Sequence, residues 1–260
     1  MNMHRIRRLS KGVAWFIVLF VALGLIGLYS YDPIVALRSS PQFPASGSSE
    51  FLSGGAIFGG EEAEGYVLSD LTFSKMDGYI RASLVFNREG ETSNPVPAYV
   101  AALQDYPPRL YISVRGVQEA GISGAAFPDE IRAVRGGLDQ GVYYLVVYLR
   151  GPAMFRAVER RSPTALDIDI KPYERQPFTV YAVRVTATSS AEEVVSAQQE
   201  LESAGFEATV ILADDLTTYV VEAGVFRDLE SAQALKSALA EKGIEAEIHE
   251  RGADELPAVE

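Results

Sequence analysis

The last third of the chain repeats itself at an interval of 38 residues. Sliding the segment from Tyr181 onto that from Tyr219 brings Val183 onto Val221, Ser190 onto Asp228 and Leu201 onto Leu239. Gly205 then meets Gly243, Ala208 meets Ala246 and Val210 meets Ile248. Internal repetition constrains a fold before local propensity does, because each copy is one supersecondary unit that must pack on its neighbour. Each copy reads strand, helix, glycine, strand. Ser190 and Glu193 form a capping box. Val194, Ala197, Leu201 and Ala204 follow at helical spacing, and Gly205 stands where the helix ends. In the second copy Asp228 caps, Ala232, Leu235 and Leu239 make the stripe, and Gly243 ends it. This order predicts an α+β, ferredoxin-like βαββαβ module over residues 176–250, with both helices on one face of an antiparallel sheet and the other face open. A disordered tail, 251–260, is expected after it.

Cysteine is absent, which excludes disulfides, thiolate metal sites and cysteine nucleophiles. The two histidines are His4 and His249. A zinc site or a Ser-His-Asp triad needs more convergent partners than these supply, so no enzyme, no metal and no cofactor is expected. The net charge of −12 is unevenly placed. Residues 1–172 hold 17 Lys/Arg and 17 Asp/Glu, whereas residues 173–260 hold 6 and 18. An acidic module repels phosphate backbones, so nucleic acid is not an expected partner.

The N-terminal end reads as an anchor. Residues 12–31 form a 20-residue apolar run without charge, long enough to cross a bilayer core. Arg5, Arg7, Arg8 and Lys11 precede it in a basic tail, 1–11, so the positive-inside rule predicts a cytoplasmic N-terminus. The expectation is a single-pass transmembrane signal anchor in the inner membrane, with the bulk of the chain in the periplasm or outside. Residues 32–65 are rich in Ser, Pro and Gly and predict a flexible linker.

From 66 to 173 the signal is strands. Ile80, Ala82, Leu84 and Phe86 alternate, as do Leu110, Ile112 and Val114. Leu166, Ile168 and Ile170 face one way and Asp167 and Asp169 the other. Val142–Arg150 is apolar on both faces, which suits a central strand. Short strands separated by turn residues predict an all-β sandwich.

Two resemblances add to this reading. The stretches YPPRLYISVRGV, IRAVRGG and YYLVVYLRGPAMFRAVERRSPTALDIDIKP resemble an AMIN domain, over roughly residues 66–172. That resemblance implies a module directed to peptidoglycan, with Arg109, Arg132 and Arg135 at motif positions. An arginine fork suits carboxylates, which peptidoglycan carries. The repeat, with Tyr219-Val-Val-Glu222-Ala-Gly224-Val-Phe226, resembles a SPOR domain over about residues 176–250. That resemblance implies binding of glycan strands at division septa. In the first copy Arg184-Val-Thr-Ala-Thr replaces the aromatic and glycine of the second. Strand alternation places Arg184, Glu207, Glu222, Glu245 and Glu247 on the helix-free face.

The candidate ligand-binding residues are therefore Arg184, Tyr219, Glu222, Gly224, Phe226, Arg109, Arg132 and Arg135. The expected function is a non-enzymatic, membrane-anchored envelope protein that binds peptidoglycan in cell division or wall remodelling. The alternative is an envelope scaffold whose acidic module binds a divisome or other envelope protein.

Overall fold

A computed structural model of the chain describes residues 50–88, 94–121 and 126–259. Most of it is strand, arranged in three sheets. The first has the order β6 (Val117–Ala120), β2 (Tyr66–Lys75), β3 (Ile80–Arg88), β10 (Thr164–Pro172), β9 (Ala153–Arg161). The second has the order β1 (Gly55–Gly59), β4 (Tyr99–Gln104), β5 (Arg109–Arg115), β8 (Val142–Leu149), β7 (Ile131–Asp139). The third has the order β12 (Thr209–Leu212), β13 (Tyr219–Phe226), β11 (Thr179–Thr188), β14 (Glu247–Gly252). Its strands are interleaved with helices α1 (Ala191–Ser203) and α2 (Leu229–Glu241).

Period-two alternation drives the first two sheets together. Ile80, Ala82 and Leu84 of β3 lie opposite Ile170, Ile168 and Leu166 of β10, and all six are buried. From the facing sheet Leu110, Ile112, Val114, Leu145 and Val147 complete one core with Tyr66, Phe86 and Phe155. Each such large side chain contributes roughly 1.5–3 kcal/mol by leaving water. A separate core lies between the third sheet and its helices, built from Val183, Val221, Val194, Leu201, Ala232 and Leu239. Both helix starts are capped by side chains: Ser190 accepts from the Glu193 amide and Asp228 from the Ser231 amide.

Several expectations need correction. Among the described residues no helix is long and apolar enough to cross a membrane. The expected tail 1–11 and span 12–31 lie outside the described residues, so the inner-membrane, single-pass localisation is withdrawn. The predicted architecture of transmembrane helix, sandwich and ferredoxin-like module with a free sheet face is also overturned. The described residues are mostly strand in three sheets, the two helices among them have 13 residues each, and the third sheet does not stand as an open module. Its helix-free face is covered: Val180, Ala182, Ile211 and Val220 are all 0% exposed. The physical reason is in the alternation itself. That face carries an apolar patch between its charges, and such a patch needs a cover. Ala133, Val146 and Tyr148 of the second sheet supply it, packing with Ile211, Leu212 and Leu256.

Both flanking segments are also more ordered than their composition suggests. Residues 55–59, inside the expected linker, form β1 and pair with β4. Gly60 is required there: its φ is +75°, and a Cβ would fall on the Pro97 carbonyl. The expected tail carries the end of β14, then the buried residues Ala253, Leu256 and Pro257. The Asp214 amide donates to the Pro257 carbonyl at 2.9 Å.

Candidate functional site

Five of the eight residues singled out by sequence, Arg109, Arg132, Arg135, Arg184 and Glu222, lie along the seam between the second and third sheets, not on a solvent-facing groove. Arg109 points outward from β5 and Glu222 points to it from β13; they are 4% and 1% exposed. Arg251 of β14 donates to both Glu222 carboxylate oxygens, at 2.9 and 3.1 Å, and to the Tyr106 carbonyl at 2.9 Å. Burial pushes the Glu222 carboxyl up while the Arg251 guanidinium pulls it down. Burial also lowers the Arg109 guanidinium. Arg132 donates to the Asp254 carbonyl at 3.4 Å, Arg135 to the Leu216 carbonyl at 2.6 Å, and Arg184 to the Ala258 carbonyl at 2.9 Å. All three of the latter bonds hold loops or the C-terminal segment in place. The Tyr148 hydroxyl accepts from the Leu212 amide at 3.0 Å, which ties β8 to β12.

The other three candidates serve the helix side. Tyr219 packs against both the helix core and the seam cluster, and Phe226 against the helix core. Gly224 lets those elements approach: a Cβ there would sit 2.9 Å from Leu235 Cδ2 and 3.0 Å from Phe226 Cε2. Glu207 and Glu245 precede β12 and β14 and are exposed rather than on the sheet face.

The outer face of the first sheet holds a second constellation, which the sequence reading left out. Asp167 and Asp169 on β10 point away from the core yet are 0% exposed, because arginines from both neighbouring strands lie over them. Arg81 of β3 binds Asp169 through Nε at 2.7 Å and Nη2 at 3.0 Å. Arg156 of β9 reaches the same carboxylate from the other side at 2.9 Å. Arg160 binds Asp167 through Nε at 2.8 Å and Nη2 at 3.0 Å, and Ser83 donates to it at 2.7 Å. The hydrogen bond to Asp169 holds Arg81 in its charged form and pushes its pKa upward. Phe51 and Tyr79 border the same end, with ring centroids 6.1 Å apart. Arg156 lies 4.7 Å from the Phe51 centroid, and Lys171 Nζ lies 5.7 Å from it. The outward positions 156 and 160 share one strand face with Val158, and that spacing was the available signal.

This face presents guanidinium groups fixed in plane beside flat aromatic surface. Such a surface takes up carboxylates and the apolar faces of sugar rings. Among the described residues no group of three His, Cys, Asp or Glu is placed to hold a metal ion.

No family model matches the chain, and no curated protein matches it either. Among solved structures, part of the chain is similar to the peptidoglycan binding domain of the B. subtilis cell wall lytic enzyme CwlC. The two are 23% identical, with 31% of this chain and 98% of that one covered and a TM-score of 0.26, a likeness too slight to show family or function.

Proposed function

We propose that the protein binds peptidoglycan without covalent chemistry, in cell division or wall remodelling, and grips it by the outer face of the first sheet. One observation carries this reading: the row of Arg81, Arg156 and Arg160 locked over Asp167 and Asp169, with Phe51 and Tyr79 at its end. Peptidoglycan alternates sugar rings with carboxylate-bearing branches. Along the row, the cations Arg81, Arg156, Arg160 and Lys171 outnumber the carboxylates Asp167 and Asp169 by two. The carboxylates underneath fix the guanidinium planes, so less side-chain freedom is lost when a ligand arrives. The resemblance of residues 66–172 to wall-directed modules supports the same reading. The closed seam gives the third sheet a different part, that of a buttress behind the sandwich.

Co-sedimentation of the full chain with purified wall tests this. The wild type is expected to pellet with the wall, and Arg156→Gln with Lys171→Glu to lose roughly tenfold in affinity. Wild-type protein that stays in the supernatant sinks the reading. Capture of a basic envelope protein by the acidic C-terminal unit, unaffected by the two substitutions, would select the scaffold reading instead.

A further inference from the structure

Beside the arginine row, the sandwich opens at one end into a cavity of about 390 Å³. Its floor is core: Ile80, Leu149, Ala153 and Ile170. Its rim carries charges of both signs, Lys75, Arg150, Asp129 and Glu130. The rim is tied across the two sheets, since Lys75 at the end of β2 binds Glu130 beside β7. Arg150 Nε donates to the Asp129 carbonyl at 2.6 Å and holds that turn. The Glu130 carboxylate, about a third exposed, is held by Lys75 and by its own backbone amide, both of which keep it below its ordinary value.

The cavity and the arginine row use alternate residues of the same strand ends. Ile80 faces in where Arg81 faces out, and Ile170 faces in beside the outward Asp169 and Lys171. We infer that the cavity receives a short peptide with small aliphatic side chains, the stem-peptide branch of a wall polymer whose sugar chain lies on the arginine row. This rests on the wall-binding reading for the identity of the polymer, but not for the chemistry of the cavity. A neutral rim with both donors and acceptors matches a zwitterionic peptide better than a simple anion. The volume falls in the range of small-ligand sites, and the apolar floor suits methyl groups.

The probe is a sugar-free stem tripeptide, titrated into the full chain and followed by amide chemical shifts. Shifts are expected at Gly151, Ala153 and Tyr173. Gly151 lines the mouth, and a Cβ there meets nothing within 4 Å, so Gly151→Trp obstructs the cavity without a clash in the core. That variant should melt as the wild type does and bind the tripeptide roughly tenfold more weakly. Exchanging the clasp, Lys75→Glu with Glu130→Lys, keeps the ion pair and reverses the order of charges along the rim, and should weaken binding as well. Tripeptide binding without wall co-sedimentation keeps the cavity and discards the wall. Wall binding with no tripeptide shifts, or with shifts that survive Gly151→Trp, overturns the cavity assignment and leaves the wall reading standing.

Discussion

Two arginine–carboxylate networks lie on the two outer faces of one sandwich, and they do different work. On the first sheet, Asp167 and Asp169 are fully covered, but the arginines over them keep about a quarter or more of their side chains in water. Against the second sheet, Glu222 and Arg251 of the third sheet are both sealed in the seam, at 0% and 6% side-chain exposure. The chemistry is shared and the solvent is not. A network whose cations reach water keeps donors available to a ligand. A sealed network serves the fold, and its charges exact a desolvation cost that only pairing offsets.

The sharpest way to break this contrast is to remove the sealed carboxylate. Glu222→Ala leaves Arg251 and Arg109 buried without an anion and should cost about 3–5 kcal/mol in urea unfolding. A loss under about 1 kcal/mol would mean that the seam admits water and that the two faces are alike. Tyr148→Phe comes next. It strips the acceptor from the buried Leu212 amide and should cost about 1–3 kcal/mol, with the Leu212 amide exchanging faster with solvent. Asp169→Asn on the other face should cost less, about 1 kcal/mol, because Arg81 and Arg156 can turn their freed donors to water. If it costs as much as Glu222→Ala, the two faces are sealed alike.

Acid probes the smallest effect. The Ser231 amide holds the Asp228 carboxyl below its ordinary value of 3.8, and the Thr217 and Thr218 amides do the same for Asp215. Both folded values are depressed, so their contribution to stability is full above 3.8 and is lost as pH falls through the folded values. Amide shifts of Ser231 and Thr217 should therefore move only in strong acid, ahead of the sandwich amides. Movement near neutral pH would contradict both the helix cap at Asp228 and the turn bonds at Asp215.

The alternating strands were legible because burial and period coincide. Ile80, Ala82, Leu84 and Phe86 read as one face and are one face. Ser190 and Asp228 read as helix caps and accept the amide bonds that caps accept. What sequence could not supply was the third partner of each surface. Arg109, Arg132 and Arg135 have the residue type of ligand grips, but whether an outward arginine meets solvent or another sheet depends on contacts 81 to 122 positions away for the last two. Alternation likewise placed Asp167 and Asp169 outward correctly and could not say that Arg81 and Arg156, 88 and 13 positions from Asp169, would cover it. The Gly59-Gly60 pair read as flexibility, yet those positions are glycine because other atoms occupy the space a Cβ would need.

The segment around β1 has a further consequence. Leu52 exchanges hydrogen bonds with Phe155 of β9, at 2.7 and 2.8 Å, and a few residues later β1 pairs along β4. One short stretch thus blunts the margins of both sandwich sheets, where unpaired strand backbone invites self-association. A chain begun at residue 66 would keep every core residue except Ile57 and the partly buried Leu52 and Ala63. It would also bare β4, with Tyr99, Ala101 and Leu103, as a sticky edge. Such a chain should fold and then form sheet-extended oligomers, in proportion to its concentration, where the longer one stays dispersed.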